Sequence, residues 1–474
     1  MTIDTHRCPS ATGTVGQVRR ILIGVLAALI AAMTPGGVAV AEAANVTVDL
    51  TSAVRSVPAD AFGVDITGYG YHHYITDDDD ERAMLTGRYG VLRIGLKYAT
   101  PGDPTSPIVA NGDGADTTVT GDEWIAAIRS LGAEPAVIVP ADPTDAANMV
   151  RHFNSGGPNP VRRWIIGNEP ENNGGDITAH SYAFNATADA MRAVDPTVSL
   201  AGPALGHLDD TNLAQLDTFL SISGSRVDVV DFHKYGAGAT AVCDSDLLAN
   251  TSDWASRVAW VRGEIERLVP DRASHIGIEV GEINSDWGIH ENPAGCDNIG
   301  TEPVQYRNAA IWWSASVWGH LLDAGAAGFA YGDKNGALSL LYDQPSDERP
   351  AYAQNGAGLD ERMPIYQGLG FFTGQAGTAL AHFGDTLVAS ATTLPGVEVY
   401  ASADPGVIVL VNKSTATQHA TIAVTGAVSA ATGYQKDGTT VSYATPADLG
   451  ALPVSEGTIE VTLPGPSVTQ IVLA

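Results

Sequence analysis

Hydrophobic residues after the first 44 positions fall in short β-branched runs that alternate with longer amphipathic segments. Between the runs, stretches such as 121–131 and 177–194 repeat apolar residues at helical spacing. The predicted strands are Ala61 to Ile66, Val91 to Ile94, Glu134 to Val139, Val161 to Ile166, Val198 to Gly202, Val227 to His233, His275 to Val280 and Ala326 to Tyr331. Eight strand–helix repeats predict an α/β fold, and specifically a (β/α)8 TIM barrel. The active site of such a barrel lies at the C-terminal ends of its strands. An open doubly wound sheet is the alternative, but no GxGxxG phosphate loop is present.

The pattern changes at about Gln367. From there, short alternating strands are separated by Gly, Pro, Asp and Asn turns, which predicts a C-terminal β-sandwich. The run Val46 to Leu50 precedes the first barrel strand and is a candidate extra strand for that sandwich. We therefore predict a barrel domain at 45–366, of which 45–52 is a candidate part of the β-sandwich, and a sandwich domain at 367–474.

Residues 1–44 predict a secretory signal peptide. Arg19 and Arg20 precede the apolar run Ile21 to Met33, a breaker follows at Pro35, and small residues continue to Ala44. A membrane anchor is the alternative, but the run is shorter than the roughly 20 residues that a spanning helix needs. We expect a secreted or extracellular protein with no stable membrane insertion after signal cleavage.

Net charge limits the classes of binding partner, and the cysteine count bears on a disulfide. Lys and Arg total 25 against 54 Asp and Glu, a formal charge of −29, which argues against nucleic acid or an anionic membrane as a partner. Cleavage of the signal removes Cys8 and leaves Cys243 and Cys296, which an oxidising compartment favours as a disulfide. Two free thiols or a metal pair are the alternatives. No HExxH, GxSxG or phosphate loop is visible, so neither a metal nor a cofactor is predicted.

Two predicted strands end in a carboxylate. The fourth ends in Gly167-Asn168-Glu169-Pro170, and the seventh ends in Gly281-Glu282-Ile283-Asn284. In a barrel these two ends approach each other across the mouth. Two carboxylates that face each other across a cleft are what glycosidic cleavage requires, because one protonates the leaving oxygen and the other attacks the sugar or activates water.

With GNEP at 167–170, GEIN at 281–284, VDFHKYG at 230–236 and the added β-domain, the chain resembles the retaining glycoside hydrolases of clan A. Within the clan it is most similar to families 39, 51 and 79. The resemblance implies that Glu169 is the acid/base, that Glu282 is the nucleophile and that Asn168 binds the sugar 2-hydroxyl. For these roles we expect burial to raise the pKa of Glu169, while Glu282 stays ionised.

The resemblance also assigns three supporting residues. Arg93, at the end of the second strand, matches the arginine that keeps the nucleophile charged. Tyr235 matches the residue whose hydroxyl contacts the nucleophile, and His233 matches a sugar-binding residue. A salt bridge that only stabilises the barrel remains the alternative for Arg93 and the glutamates, and a buried core pair remains the alternative for His233 and Tyr235.

The end of the eighth strand departs from the clan, which usually has a tryptophan there. Tyr331 and Asp333 take that place and are expected to contact the substrate. Trp287, in the loop after Glu282, is the candidate platform for a sugar ring. Glu279 is a rival nucleophile, but Glu282 lies nearer the C-terminal end of its strand. Glu171 is a rival acid that we expect to be exposed beyond Pro170.

The sequence therefore predicts a secreted retaining glycoside hydrolase that acts on a carbohydrate substrate by double displacement. For this mechanism the carboxyl groups of Glu169 and Glu282 must lie about 5 to 5.5 Å apart. The loops after strands five to eight contain few cations besides Lys234 and Lys334, so a neutral sugar such as a xyloside or arabinoside is favoured over a uronic acid. A glucuronidase-type enzyme and a non-catalytic carbohydrate-binding or cell-surface protein are the alternatives.

Overall fold

The computed structural model describes residues 43–66, 74–76, 79–111, 117–172, 174–209, 212–290, 293, 295–296, 298, 302–332, 337–342 and 361–474. Residues 1–42 of the predicted signal segment and the candidate site residue Asp333 lie outside this part of the chain. Residues 43–474 form one compact unit. Within the described residues, no helix is long and apolar enough to cross a membrane.

A closed parallel barrel follows β1 (Val46–Ser56), the first strand of the described residues. Its strands are β2 (Phe62–Asp65), β3 (Val91–Tyr98), β5 (Glu134–Val139), β6 (Arg163–Ile166), β7 (Ser199–Leu205), β8 (Val229–His233), β9 (Gly277–Ile283) and β10 (Ala327–Tyr331). The barrel closes because β2 pairs in parallel with both β10 and β3. A short strand, β4 (Ile108–Ala110), pairs antiparallel with the end of β3. Every predicted barrel strand overlaps an observed one, and the predicted fold class is confirmed.

Helices connect the strands and cover the barrel. They are α1 (Asp79–Leu85), α2 (Gly121–Ser130), α3 (Pro143–Asn154), α4 (Ile177–Val194), α5 (Leu213–Ser223), α6 (Asp244–Ala249), α7 (Asp253–Leu268), α8 (Asn308–Ala324) and α9 (Pro364–Thr373). Local sequence sets their ends. A reciprocal capping box between Thr120 and Glu123 starts α2, while Gly325, at φ +75°, ends α8 in the left-handed conformation that glycine adopts without strain.

Strands β3, β7 and β9 run further toward the barrel mouth than predicted. Gly281 shows the physical reason for a glycine inside β9. A Cβ atom at this position would lie 2.3 Å from Oδ1 of Asp231 on the neighbouring strand. The glycine therefore makes room for a buried carboxylate inside the barrel and does not end the strand.

The second domain is a ten-stranded sheet that folds over on itself as a β-sandwich. Besides β1 it contains β13 (Thr386–Thr392), β14 (Val397–Ala403), β15 (Val407–Asn412), β16 (Gln418–Thr425), β17 (Ala431–Asp437), β18 (Ala447–Leu452), β19 (Val454–Ser455), β20 (Thr458–Leu463) and β21 (Ser467–Leu473). The two-residue strands β11 (Leu341–Tyr342) and β12 (Glu361–Arg362) pair with each other outside this sheet. The apolar core of the ten-stranded sheet includes Val46, Ile408, Ile422 and Ile459.

The strand β1 lies inside this second domain, where it pairs antiparallel with β13 and in parallel with β16. Helix α9 runs across residue 367, where we placed the domain boundary. Helix α8 is buried around most of its circumference and packs between the barrel and the sandwich. There Trp312 donates from its indole nitrogen to the carbonyl of Lys436, and Ser316 donates to the carboxylate of Glu398.

Candidate active site

Glu169 follows β6 in a constrained turn. Gly167 has φ +82°, and Glu169 itself has φ +47°, a conformation that non-glycine residues rarely adopt and that costs of order 1 kcal/mol or more. The turn is held because the backbone N–H of Glu169 donates to the carbonyl of Ala204 at 2.8 Å. This places the Glu169 side chain, 27% exposed, at the barrel mouth. Strain of this kind is common where a side chain is aimed for function.

Glu282 is the next-to-last residue of β9, and its side chain is only 8% exposed. Arg93 donates from Nη1 to Oε1 of Glu282 at 2.8 Å. The hydroxyl of Tyr235 donates to Oε2 at 2.7 Å. Each carboxylate oxygen of Glu282 therefore has its own hydrogen-bond donor.

Arg93 is fully buried and connects several of the predicted residues. Its Nη2 donates to Oδ1 of Asn168 at 2.7 Å and lies 3.0 Å from Nε2 of His233. A guanidinium nitrogen has no lone pair to accept a hydrogen bond, so Nε2 of His233 must be the acceptor. The proton of a neutral His233 therefore lies on Nδ1, which is 2.9 Å from Oε1 of Glu169.

The two glutamates face each other. A carboxylate oxygen of Glu169 and one of Glu282 lie within 4.8 Å of each other, with Nδ1 of His233 between them at 2.9 and 3.4 Å. The structure therefore brings together Glu169, Glu282, Asn168, Arg93, His233 and Tyr235, the six residues that the sequence placed nearest the chemistry.

The pKa of Glu169 shifts in the direction opposite to our expectation. Burial raises it, but the hydrogen bond and charge of His233, the amide of Asn172 at 3.3 Å and the charge of Arg93 together lower it to about 2. We expected burial to dominate, and this was wrong because the sequence does not show that His233 is aimed at Glu169. In this arrangement Glu169 is a carboxylate at neutral pH.

A cleft of about 730 Å³ opens over the two glutamates, within the size range of small-molecule sites. Trp287 is 58% exposed on its rim and packs so closely on Gly238 that a Cβ atom there would lie 1.9 Å from the indole nitrogen. Tyr331 is buried in the wall, with its ring edge-to-face to that of Tyr235 at 6.2 Å. An exposed indole beside the carboxylates suits a sugar ring, since its face is apolar.

The loops after β8 and β9 are joined to each other. Cys243 and Cys296 form the predicted disulfide, with their Cα atoms 5.4 Å apart. Within the second loop, Asn284 donates to the carbonyl of Tyr331 at 2.9 Å, and Asp286 bonds His290 at 2.8 Å. These contacts fix the loop that carries Trp287, so the rim of the cleft is held by covalent and polar links.

Neither rival glutamate belongs to the facing pair. Glu279 lies toward the opposite end of β9, where Arg163 donates to it at 2.6 Å, and it does not line the cleft. Glu171 is half-buried, not exposed as we expected, because its Oε1 accepts from the backbone N–H of Gly206 at 2.7 Å.

Two buried aspartates were missed. Asp65 ends β2 and accepts a hydrogen bond from Arg93, and Asp231 on β8 lies 3.8 Å from Nη2 of Arg93. Both are fully buried. A signal was present, since each is an acidic residue inside an apolar run, and a buried acid needs a partner.

Glu169, His233 and Glu282 together offer the donor atoms of a possible metal site. They do not fit a divalent cation. Arg93 already donates to Glu282 and faces the ring nitrogen of His233, which places a positive charge against the same atoms.

No family model and no curated protein matches the sequence. Solved structures do match. The alpha-L-arabinofuranosidase of Thermotoga maritima has a TM-score of 0.68 at 16% identity, covering 90% of this chain and 99% of that chain. The family 51 alpha-L-arabinofuranosidase of Bifidobacterium longum has a TM-score of 0.67 at 16% identity, covering 91% and 100%. A family 44 xyloglucanase of Paenibacillus polymyxa has a TM-score of 0.60 at 13% identity, covering 90% and 99%. The predicted resemblance to clan A is confirmed at the level of the fold.

Proposed function

We propose that the protein is a retaining glycoside hydrolase that cleaves O-glycosidic bonds by double displacement. The observation that carries the proposal is the pair Glu169 and Glu282, whose oxygens approach within 4.8 Å at the mouth of the barrel. Retaining enzymes hold their two carboxyl groups about 5 to 5.5 Å apart, whereas inverting enzymes need about 6.5 to 9.5 Å to admit a water.

In the first step a carboxylate oxygen of Glu282 attacks the anomeric carbon. The bond from that carbon to the leaving oxygen breaks, and Glu169 supplies the proton that the leaving group takes. In the second step Glu169 removes a proton from water, the water oxygen attacks the same carbon, and Glu282 is released as a carboxylate. Arg93 and Tyr235 stabilise Glu282 as the anion that both ends of this cycle require.

Asn168 is placed to bind the sugar. Its carbonyl oxygen accepts from Arg93 at 2.7 Å, so its orientation is set and its NH2 group remains to donate to the 2-hydroxyl. A hydrogen bond to this hydroxyl that strengthens in the transition state lowers the barrier by several kcal/mol.

The acid role requires Glu169 to be protonated when a glycoside is in place. Burial already acts in that direction, and the hydrogen bond from His233 acts against it. A sugar ring that covers Glu169 displaces water from its carboxyl group, which disfavours the anion further. We therefore place the protonation of Glu169 in the substrate complex.

Among the described residues that line the cleft, the charges favour a neutral sugar such as a xyloside or arabinoside. Lys334, the other cation noted in the sequence, lies outside the described residues. Lys234 lines the cleft, but its ammonium group bonds Asp253 at 2.8 Å and lies 4.5 Å from the ring centroid of Trp254. Its charge is therefore held by other residues and is not available to a substrate carboxylate. The arabinofuranosidases that share this fold support the same substrate class, whereas a glucuronidase would need a cation that faces the sugar.

We also propose that the protein is secreted. The disulfide between Cys243 and Cys296 supports export, because such bonds persist in oxidising compartments. The signal-like segment at 1–44 supports it independently.

A panel of nitrophenyl glycosides and cell-wall polysaccharides tests the activity. We expect turnover of pentosides and little of glucuronides, and we expect the first product seen by NMR to keep the anomeric configuration of the substrate. An inverted product would contradict the double displacement, while preference for a glucuronide would contradict only the neutral-sugar assignment.

Glu169→Gln separates an enzyme from a carbohydrate-binding protein. The variant should lose most turnover on sugars with poor leaving groups and keep more of it on nitrophenyl glycosides, because an activated leaving group needs no proton. Asp271→Asn, an exposed substitution at the other end of the barrel, is the control. Unchanged glycan binding with no turnover by the wild type would favour the binding protein.

A further inference from the structure

A second carboxylate bonds the same nitrogen of Arg93 that bonds Glu282. Oδ2 of Asp65 accepts from Nη1 of Arg93, and this Nη1 also donates to Oε1 of Glu282 at 2.8 Å. Asp65 is fully buried at the end of β2. Its other oxygen, Oδ1, is buried and has no hydrogen-bond partner among the described residues. Asp65 and Glu282 therefore share Arg93, the arginine that would keep the nucleophile charged.

The group around Arg93 contains more acids than bases. Asp65, Asp231 and Glu282 are all buried, and no side chain within the described part of the chain donates a hydrogen bond to either oxygen of Asp231. The ring of His233 does not offset these acids, because its Nδ1 bonds the further carboxylate of Glu169 at 2.9 Å, which balances a charge on the ring. Tyr331 lies opposite Asp65 where β10 pairs with β2, and a tyrosine adds no positive charge there. With all three acids ionised, one guanidinium would leave two buried negative charges uncompensated, which a protein avoids by protonation.

The contacts decide which acids take the protons. Glu282 accepts from two donors, Arg93 and Tyr235, one on each oxygen. Asp65 accepts only from Arg93, and its unbonded Oδ1 is where a proton fits. Burial raises the pKa of Asp65 well above its usual range, and repulsion from Glu282 and Asp231 adds to this against the attraction of Arg93. Burial also raises the pKa of Asp231.

We propose that Asp65 is a positioning residue that holds Arg93 as a neutral acid, so that the guanidinium charge is left to Glu282. A neutral carboxyl group still accepts the hydrogen bond that fixes Arg93. An ionised one would draw the same charge away from Glu282 and add a second anion beside it. The importance of Glu282 rests on the proposed function, but the protonation of Asp65 does not.

Infrared difference spectroscopy tests the proton directly and needs no substrate. The spectrum of wild type minus Asp65→Asn at neutral pH should show the carbonyl band of a buried carboxylic acid, because the substitution removes it. Asp231 is present in both proteins, so its band cancels. The exposed control Asp271→Asn should give no carboxylic-acid band. Loss of a carboxylate band in place of the acid band would overturn the proposal.

Kinetics test the positioning role. Asp65→Ala removes the acceptor that fixes Arg93, and we expect kcat to fall about 100-fold with a much smaller change in KM. Asp65→Asn keeps an acceptor oxygen without a charge, so it should recover most of that loss. Equal losses in the two variants would mean that the charge of Asp65 is needed, which would overturn the proposal.

The two hypotheses fail separately. A wild type that hydrolyses no glycoside defeats the proposed function, and the infrared result then still decides whether Asp65 is neutral. An active wild type with no acid band from Asp65 defeats this inference and leaves the proposed function standing. If Asp65→Ala does not fold, the spectrum of Asp65→Asn decides the question.

Discussion

The two ends of the barrel each contain an arginine between two acids. At the mouth, Arg93 donates to Asp65 and Glu282. At the opposite end, Arg163 donates to Asp60 and Glu279. Each cluster links three different segments of the barrel. In each, a glutamate of β9 forms an ion pair with the arginine.

The surroundings of the two clusters differ. The mouth adds Asp231, His233, Tyr235 and a second glutamate that faces the first, all under an open cleft. At the other end Asp60 is 40% exposed, and in the described part of the chain neither a histidine nor a second glutamate forms an ion pair with Arg163. Surplus acids and a facing carboxylate, not the ion pair itself, therefore distinguish a candidate active site from a stabilising salt bridge.

Replacing each glutamate of β9 by glutamine gives the largest expected difference between the two ends. Glu282→Gln should lower kcat by about 10⁴-fold or more, the scale of losing a nucleophile. Glu279→Gln should keep kcat within about 3-fold, because this end of a barrel contributes stability and not chemistry. Initial rates on the best glycoside, with circular dichroism to check folding, measure both. Comparable losses would remove the distinction between the ends.

Conservative replacement of the two arginines sharpens the comparison. Arg93→Lys should lower kcat about 100-fold, because one ammonium group cannot reproduce the contacts of two guanidinium nitrogens. Arg163→Lys should instead lower the melting temperature by a few degrees, with kcat within about 3-fold. Rate and thermal melting are measured on both variants. A stable but inactive Arg163→Lys would show that the far cluster acts on catalysis.

A smaller effect is expected in the pH profile. His233→Phe removes the hydrogen bond that holds the pKa of Glu169 at about 2, so this pKa should rise. A general acid works while it is protonated, and we place that protonation in the substrate complex, so the alkaline limb of the kcat profile should move to higher pH. His275→Phe, an exposed change at the opposite end of β9, is the control and should not move the profile. A limb that stays in place would show that His233 does not control Glu169.

The smallest expected effect concerns stability at the far end. Burial raises the pKa of Glu279 to about 7 against the attraction of Arg163. Between about pH 4.5 and 7 the folded protein then holds a proton that the unfolded chain releases, so stability falls as pH rises. Urea unfolding at both ends of this window should show a loss of order 1–3 kcal/mol in the wild type that Glu279→Gln lacks. An equal pH dependence in both proteins would contradict the raised pKa.

The barrel was predictable because each buried strand is a short, mostly apolar run, and the paired glutamates were predictable because they lie at the ends of two such runs. The strand ends were not. The prediction ended the seventh strand at Val280, although β9 continues through Gly281, which makes room for the Asp231 carboxylate on the neighbouring strand. That contact joins segments that are distant in the chain, and local residue preferences contain no information about it.

The charge state of the site was also beyond sequence reasoning. An acid in an apolar run, such as Asp65 in AFGVDI, indicates a buried partner but not which one. Likewise, the direction of the Glu169 pKa depends on a 2.9 Å contact with His233, a residue 64 positions away in the chain. Electrostatics of this kind are set by the packing of side chains from several strands, which appears only in the folded structure.

Strand β1 makes the sandwich discontinuous along the chain, with the whole barrel inserted between β1 and β13. Val46 pairs with Thr392 on one side and with Ile422 on the other. No uninterrupted fragment that omits the barrel can contain the complete sheet. During synthesis β1 has neither partner strand until the whole barrel has left the ribosome, because β13 and β16 both follow the barrel in the chain. Contacts between such distant segments form slowly, so the barrel is expected to fold first and the sandwich to close last.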